Sequence, residues 1–313
     1  MENLLTVKET AEILKVKKNT VYEMIKRGDV KASKLGKQLR IRKEDLDYYI
    51  QYGKQAGMSE MTGTKEVIFK EEKSFGQNED RIILCGQDLV LDLLADRLNR
   101  ILDGVSVLRS YKGSYNGLYA MYQGEVDMAT AHLWHGKTNS YNIPYISGML
   151  PGMDVVVLHL LKRKEGFYVK KGNPKKIRDF QDLRRPDVTI VNREPGSGVR
   201  VLLDEKLRVY GIRPLEVSGY DHVVNSHLEA AAAVNRGEAD VALGSEKHSR
   251  SVEGIDFLFV QNESYDLIIR KEDFEKELYQ KMVSVIRSED YRKEVEGLGG
   301  YDTTDMGKII YRD

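Results

Sequence analysis

The chain has 313 residues, with 49 Lys and Arg against 49 Asp and Glu. This length predicts two or three domains, and the zero net charge gives the whole chain no electrostatic bias toward nucleic acid. The single cysteine, Cys85, excludes a disulfide within the chain, and no apolar run approaches the ~18 residues of a membrane span. Because the N-terminus is charged and lacks the apolar stretch of a secretory signal, we expect a cytoplasmic protein.

Composition divides the chain into three zones. Residues 1–50 hold 12 Lys and Arg against 8 Asp and Glu, a net charge of +4, so the remainder carries −4. Residues 53–79 are polar, contain glycine and lack periodicity, as linkers do. From Arg81 onward, short apolar runs alternate with longer amphipathic stretches, which is typical of an α/β fold with a largely parallel sheet. We therefore predict a basic head over 1–52, a linker over 53–79 and an α/β body over 80–313.

The first predicted element is a helix that begins with a capping box. Thr6 and Glu9 have the spacing at which each side chain accepts a hydrogen bond from the other residue's backbone amide. Val7, Ala11 and Leu14 then share one face of the helix. The pattern predicts that this face is buried.

The second predicted helix follows a break at residues 15–17 and turns its apolar side chains inward. Two short strand-like runs, 31–35 and 39–41, are joined by a turn at 36–38, and a third helix begins near Lys43. This order is that of a winged helix-turn-helix, in which the second helix enters the major groove of DNA and the hairpin meets phosphates or a minor groove. The outward polar side chains of the second helix and hairpin are the candidate DNA-binding residues: Lys17, Lys18, Asn19, Thr20, Tyr22, Lys26, Lys34, Lys37, Gln38 and Arg40.

Residues 6–50 resemble the excisionase-type, MerR-like family of DNA-binding domains almost end to end. The resemblance is carried by Thr6, Val7, Ala11, Leu14, Val16, Thr20, Val21, Tyr22, Ile25, Gly28, Gly36, Arg40, Ile41, Asp45 and Leu46. One departure is Lys17, which stands where members often have a capping serine. The resemblance implies a winged helix-turn-helix that binds duplex DNA.

The body begins with a predicted strand at 82–85, an apolar helix at 89–101 and a second strand at 105–108. A helix followed by Gly-Glu-x-Asp-x-Ala then occurs twice, with that motif at 124–129 and at 237–242. A repeated helix–turn–strand unit predicts two similar α/β lobes. The crossovers between them are β-rich stretches: 155–161, 257–260 and 267–269. Lobe one is then about 80–160 with 262–313, and lobe two is about 161–261.

This arrangement resembles the type 2 periplasmic binding protein fold, and more closely the PBP-like domains fused to regulators, some with molybdate-type sensing. The resemblance is carried by the Gly-Glu-x-Asp pieces, by Gly113, Ser114, Gly117 and Leu118, and by the run 191–200. It implies a small-molecule site in a cleft between the two lobes.

Ligands of such folds bind beyond the carboxyl ends of strands, where helix N-termini present unpaired amides. Three segments have this character, at 86–88, 110–116 and 196–200, and Arg193 and Arg200 could neutralise an anion. The candidate ligand-binding residues are Gln87, Asp88, Ser110, Ser114, Tyr115, His132, Trp134, Tyr141, Asn142, Arg193, Gly196, Ser197, Gly198 and Arg200.

Some of these residues have a second interpretation. His132, Trp134 and Tyr141 form either a ligand wall or a packed aromatic loop. Asp88 either caps its helix or binds a donor on the ligand. The Gly-Ser-Gly at 196–198 is either part of the site or a turn with a helix cap.

Several motifs of catalysis are missing from the sequence. It contains no nucleotide-binding glycine motif, no Cys pair for zinc, no metalloprotease His pair and no nucleophile elbow. We therefore expect neither an enzyme nor a resident cofactor or metal, beyond a bound oxyanion such as molybdate or tungstate.

The sequence predicts a ligand-responsive, homodimeric DNA-binding regulator that senses such an oxyanion or another small metabolite. Two alternatives remain at this stage. One is a solute-binding protein or enzyme whose head docks a protein, and the other is an excisionase-like architectural factor.

Overall fold

The computed structural model describes residues 4–14, 16–27, 30, 32–35, 38–43, 46 and 80–313. The chain divides into two compact units, Met1–Phe75 and Gly76–Asp313. The predicted linker at 53–79 and most of the predicted third helix of the head lie outside the described residues.

Within its described residues, the head unit contains a three-stranded antiparallel sheet and two helices. Its elements are β1 (Leu4–Thr6), α1 (Val7–Leu14), α2 (Lys18–Arg27), β2 (Ser33–Leu35) and β3 (Gln38–Arg42). The strand order is β1-β3-β2, so β2 and β3 form the predicted hairpin. β1 was not predicted, because three residues are too few to show an alternating pattern.

The predicted capping box of α1 is confirmed. The Thr6 amide donates to a Glu9 carboxylate oxygen at 2.7 Å, and the Glu9 amide donates to the Thr6 hydroxyl at 3.2 Å. The apolar face behind it is buried as predicted, and the head core is formed by Val7, Ala11, Val21, Met24, Val30, Ile41 and Leu46.

The body unit consists of two lobes joined by two long strands. The first lobe contains β4 (Asp80–Cys85), α3 (Val90–Ile101), β5 (Val105–Ser110), α4 (Ser114–Tyr122), β6 (Met128–Ala131), β7 (Trp134–His135), β8 (Ser140–Tyr141) and α5 (Ile143–Met149). The long strand β9 (Val155–Lys170) leads out of this first lobe.

The second lobe contains β10 (Ile190–Arg193), α6 (Gly198–Val209), β11 (Val223–Val224), α7 (His227–Arg236), β12 (Val241–Ser245) and α8 (Glu246–Ser249). Two short 3-10 helices, Phe180–Arg184 and Pro214–Glu216, lie in its connections. The chain returns through β13 (Ile255–Arg270). It ends with α9 (Lys271–Phe274), α10 (Glu277–Ile286), α11 (Glu289–Gly297), β14 (Tyr301–Asp302) and β15 (Ile309–Arg312).

One sheet runs through both lobes in the order β11-β10-β12-β9-β13-β6-β4-β5, with β14 and β15 also pairing with β9. The short strands β4, β5 and β6 of lobe one and β10, β11 and β12 of lobe two pair in parallel, whereas β9 and β13 pair antiparallel with each other and with β12 and β6. The carboxyl ends of the parallel strands therefore point from each lobe toward the region where β9 and β13 pass between them.

The long strands differ from the prediction. The β-rich stretches predicted at 257–260 and 267–269 are parts of one strand, since β13 is continuous from Ile255 to Arg270 with two register shifts. The predicted strand at 155–161 likewise extends to Lys170. In both strands, charged residues interrupt the apolar pattern while the backbone pairing continues, so the interruption marks a buried polar cluster rather than a turn.

The repeated helix–turn–strand unit is confirmed, as α4 with β6 and α7 with β12. The aspartate of each motif makes an equivalent hydrogen bond, since Asp127 accepts from the Ile83 amide at 2.7 Å and Asp240 accepts from the Thr189 amide at 2.9 Å. In each lobe the motif therefore ties the start of its strand to the neighbouring connection.

The crossing of β9 with its neighbours leaves no room for a side chain at Gly166. A Cβ there would lie 2.2 Å from the Leu258 carbonyl oxygen, whereas a Cβ at Gly148 would meet nothing within 4 Å. We expect Gly166→Ala to lower the free energy of unfolding by about 1–3 kcal/mol, because the backbone must shift. Gly148→Ala is the matched control and should change it by less than about 1 kcal/mol. Urea unfolding followed by the fluorescence of Trp134, the one tryptophan of the chain, measures both, and equal stabilities would contradict the tight crossing.

Candidate functional site

A crevice of about 320 Å³ lies where the two lobes meet the crossing strands. Both lobes and β9 and β13 contribute side chains or backbone to it. It is lined by Gly86, Gln87, Asp88, Lys112, Gly113, Ser114, Thr130, His132, Arg163, His227, His248 and Tyr265. Four of the predicted ligand residues, Gln87, Asp88, Ser114 and His132, therefore come together here.

The turn after β4 forms one wall. Gly86 has a φ of +153°, and a Cβ there would lie 2.1 Å from the Thr130 hydroxyl oxygen, so glycine is required. Asp88 accepts from the Val90 amide at 2.9 Å and so caps α3. This bond supports the capping interpretation of Asp88, and because its side chain also lines the crevice, the ligand-binding interpretation stays a prediction.

The N-terminus of α4 forms the adjacent wall. Gly113 and Ser114 line the crevice, and the Ser114 hydroxyl accepts from the His132 amide at 3.1 Å. This bond holds the segment after β6 against α4. The N-terminus of this nine-residue helix carries partial positive charge, and one of its first amides, that of Tyr115, is already hydrogen-bonded to the Gly196 carbonyl.

Arg163 on β9 forms the floor and is surrounded by carboxylates. Its Nε donates to Glu263 at 2.6 Å, its Nη1 bonds to Asp88, and Glu165 lies 3.7 Å away. All four side chains are buried. Tyr301 completes the cluster by donating to Asp88 at 2.6 Å. The Arg163 guanidinium is therefore already paired with carboxylates.

The carboxyl groups of this cluster differ in the direction in which their pKa is shifted. Burial raises the pKa of Asp88 and Glu263, but the charge of Arg163, with the hydrogen bonds each receives, outweighs it and holds both below their usual values. Burial and the neighbouring Glu263 instead raise the pKa of Glu165 well above its usual value. Arg163 thus stabilises the charged forms of Asp88 and Glu263, whereas burial favours the neutral form of Glu165, whose two buried oxygens have no hydrogen-bond partner.

Three histidines face the crevice. His132 bonds through Nδ1 to Glu263 at 2.8 Å. His227 and His248 stack with ring centroids 4.6 Å apart and an interplanar angle of 13°. Burial, followed by nearby positive charge, lowers the pKa of His248 to about 4 and that of His227 well below its usual value. The stacked pair is therefore neutral near pH 7.

The lobes touch each other beside the crevice. The Tyr115 amide of α4 donates to the Gly196 carbonyl at 3.1 Å. A Cβ on Gly113 would lie 2.9 Å from that carbonyl oxygen, and one on Gly198 would lie 2.3 Å from the His132 ring. The small residues at 196–198 thus allow close approach of the opposite lobe, and the Ser197 hydroxyl caps α6.

Three predicted ligand residues, Trp134, Tyr141 and Asn142, are not among the described residues that line the crevice. Trp134 packs into the core of lobe two, where the Lys206 ammonium lies 4.0 Å from its ring centroid. Tyr141 pairs with Trp134 across the β7–β8 hairpin, and Asn142 bonds to Ala131 and Leu133 backbone. These contacts correspond to the packed loop rather than to a ligand wall.

The same β7–β8 hairpin, residues 134–141, joins the lobes. It follows β6 of lobe one, yet the Gly136 amide donates to Glu205 on α6 of lobe two at 2.7 Å. Glu205 is held in turn by Arg208 at 2.6 Å. The hairpin therefore fastens lobe one to lobe two independently of the crevice.

The two predicted anion-binding arginines are paired elsewhere. Arg193 donates twice to Glu194, at 2.7 and 2.9 Å. Arg200 bonds to Asp204 at 3.2 Å and stacks on Tyr220. Neither is among the described residues that line the crevice, nor are Ser110, Tyr115, Gly196, Ser197 and Gly198, which lie at its border.

Sequence reasoning missed five of the twelve lining residues, Thr130, Arg163, His227, His248 and Tyr265, while Lys112 lies within the predicted segment 110–116. The signal available for Arg163 was the group of charged residues, with Glu165 and Glu263, inside two otherwise apolar strands. No comparable signal marks His227 or His248, because each sits at the edge of a helix on lobe two.

In the head, the polar face of α2 is open. Lys17, Lys18 and Thr20 are exposed, Tyr22 is half exposed, and Arg40 on β3 is partly buried. The other predicted DNA-binding residues fall outside the described side chains: Asn19, Lys26, Lys34, Lys37 and Gln38.

Two searches of the described residues were negative. None of their helices has both the length and the apolar character needed to cross a membrane. Nor do three or more His, Cys, Asp or Glu side chains among them come together as a metal site.

The comparisons with known proteins agree with this two-part structure. A helix-turn-helix domain model matches residues 4–52, and a PBP superfamily domain model matches residues 95–287. The chain is 38% identical over 305 residues to the uncharacterized protein YvgK of Bacillus subtilis (strain 168), covering 97% of each chain.

Two solved structures share the fold of the body. An ABC-type phosphate transport receptor from Vibrio cholerae matches with a TM-score of 0.51 and 18% identity, over 72% of this chain and 100% of that one. The tungstate ABC transporter from Geobacter sulfurreducens matches with a TM-score of 0.51 and 14% identity, over 71% and 100%. At these identities the likeness establishes a type 2 periplasmic-binding-protein fold, as predicted.

The buried cluster predicts a large effect of removing its cation. Arg163→Met leaves Asp88 and Glu263 buried without a counter-charge, so we expect a loss of about 3–5 kcal/mol in the free energy of unfolding. Arg184→Met removes an exposed arginine paired with Glu216 at 3.3 Å and should cost less than about 1 kcal/mol. Trp134 fluorescence in urea measures both, and a similar small loss for Arg163→Met would show that the carboxylates find other compensation.

Proposed function

We propose that this chain is a ligand-responsive transcriptional regulator. It belongs to the PBP superfamily and to a family that includes YvgK, and it carries a helix-turn-helix domain at residues 4–52. Its head binds duplex DNA and its body binds a small anion in the interlobe crevice. The observation that carries this proposal is the presence, in one chain, of exposed Lys17, Lys18 and Thr20 at the start of α2 and of an interlobe crevice lined by the N-terminus of α4 and by histidines.

The chemistry of the crevice supports an anionic solute. The start of α4 with the Ser114 hydroxyl lines the crevice together with Lys112, and a helix N-terminus favours a negatively charged ligand. A tetrahedral oxyanion or a small carboxylate has the hydrogen-bond acceptors for these donors. The phosphate receptor and the tungstate transporter of similar fold make phosphate and tungstate the first probes.

The contact between the lobes supports a switching mechanism. The described body is shut, with Tyr115 bonded to Gly196 and His132 packed on Gly198. A solute that contacts both lobes stabilises the shut form relative to an open one by its difference in affinity for the two. We propose that this equilibrium changes the affinity of the head for its operator.

Three further properties belong to the proposal. A head of about 50 residues gives a small DNA interface, so we expect the protein to bind as a homodimer. Access to DNA requires a cytoplasmic location. Both matched domains are of non-catalytic kinds, so we expect binding without turnover.

DNA binding by the head is tested by substitution on α2. With a duplex selected from a random library by the full-length protein, Lys18→Ala should weaken binding on every sequence and reduce the salt slope by about 1, because one phosphate contact is lost. Lys293→Ala removes an exposed lysine of the body and is the charge-matched control. Fluorescence anisotropy at two salt concentrations gives the slopes. Failure of the wild-type chain to bind any duplex at low salt would eliminate the regulator.

Anion binding is tested at the mouth of the crevice. Gln87 is exposed and lines it, so Gln87→Glu places a like charge beside the bound ion, whereas Gln87→Asn does not. At ~100 times Kd, tungstate or phosphate should stabilise the wild type and Gln87→Asn by about 2.7 kcal/mol, and Gln87→Glu by clearly less. Thermal unfolding measures this difference. Equal stabilisation of all three proteins would place the anion elsewhere.

A further inference from the structure

The crevice contains basic groups that are already neutralised. Arg163 bonds to Asp88 and Glu263, and the Lys112 ammonium bonds to Glu125 at 2.6 Å. A dianion that enters this space therefore meets donors but little uncompensated positive charge. Since a buried charge without compensation is costly, positive charge has to enter with the anion.

The stacked pair of His227 and His248 lies on the lobe-two side of the same space. Both rings line the crevice, opposite the turn after β4 and the start of α4. The His227 Nδ1 is buried without a hydrogen-bond partner, and the His248 Nδ1 is 2.7 Å from the Ser245 hydroxyl. An anion in the crevice would thus lie against two imidazoles whose protonation is not fixed by a carboxylate.

Burial is the main cause that lowers the pKa of both rings, and most of the charges around the pair act in the same direction. His227 faces Arg193 of β10, Arg163 of β9, His132 and its stacking partner. His248 faces Arg163, Arg193 and Lys247, with Asp88 as the opposing negative charge. Burial, with these positive groups acting in the same direction, disfavours a proton on either ring, and a bound anion would oppose that effect.

We propose that the crevice takes up its anion together with one proton, which is held by the stacked His227–His248 pair. The inference rests on the proposed function, since it concerns the same anion site. The proton comes from solvent and adds to an imidazole nitrogen, and no bond of the anion changes. One proton is expected rather than two, because the second would bring two imidazolium rings within 4.6 Å of each other.

The sign of the pH dependence follows by linkage. The empty pair binds its proton only at low pH, while the anion-bound pair binds it near neutrality, so the complex holds one more proton than the free protein. Anion affinity should therefore fall as the pH rises, by about tenfold per pH unit over the range in which the bound pair is protonated and the free pair is not. By the same linkage, saturating anion should raise the pKa of the pair.

The experiment is calorimetric titration of the full-length protein with sodium tungstate, and separately with sodium sulfate, in buffers of different ionisation enthalpy. Both probes remain dianions near neutral pH, so protons counted from the buffer dependence are taken up by the protein. We expect about one proton per anion and the pH-dependent Kd described above.

Substitution of each histidine of the pair tests whether the pair takes up the proton. His227→Gln and His248→Gln should each bring the uptake close to zero and flatten the pH dependence of Kd, whereas His222→Gln, at an exposed histidine of the same lobe, should change neither. Trp134 fluorescence identifies a variant that fails to fold, in which case the other variant decides. Binding without proton uptake, or uptake that survives both substitutions, overturns the inference.

The outcome also separates this inference from the proposed function. If tungstate and sulfate bind without proton uptake, the proposed anion-sensing regulator is retained and only the inference of proton uptake is rejected. If neither anion binds while the head still binds DNA, the inference fails and the regulator requires a ligand of different chemistry.

Discussion

The ion cluster of Arg163 with Asp88 and Glu263 is the interaction on which the rest of the body depends. Arg163 and Glu263 belong to the two long strands, and Asp88 belongs to the turn that starts α3. A single guanidinium thus ties lobe one to the place where β9 and β13 leave it. Because every member is buried, none can be withdrawn without exposing the others to an uncompensated charge.

This cluster also decides what the crevice can recognise. Because the Arg163 guanidinium is paired with carboxylates, it contributes shape and hydrogen bonds to the crevice but little net attraction for an anion. Selectivity then falls to groups with adjustable charge or direction: backbone amides at the start of α4, the Ser114 hydroxyl and the stacked imidazoles. The arginines that sequence reasoning had selected, Arg193 and Arg200, each have an acidic partner close in the chain, Glu194 and Asp204.

Local patterns predicted the elements well and their long-range partners poorly. The capping box of Thr6 and Glu9, the two helix–strand repeats and the turn at 86–88 follow from spacing within a few residues, and the structure contains all of them. The continuity of β13 did not follow, because Glu263 and Ser264 look like a break in an apolar strand until Arg163 is known to lie opposite. His227 and His248 are 21 positions apart in the chain, and only the packing of α7 against α8 brings their rings together.

The hairpin at 134–141 gives the body a kinetic property as well as a structural one. By chain order it belongs to lobe one, but Trp134 is buried in the core of lobe two beneath Lys206, and Gly136 is bonded to Glu205. Separating the lobes therefore means extracting an indole from an apolar core, not merely bending two strands. If the crevice holds a solute as proposed, its release by separation of the lobes would require that extraction, which would lengthen its residence time.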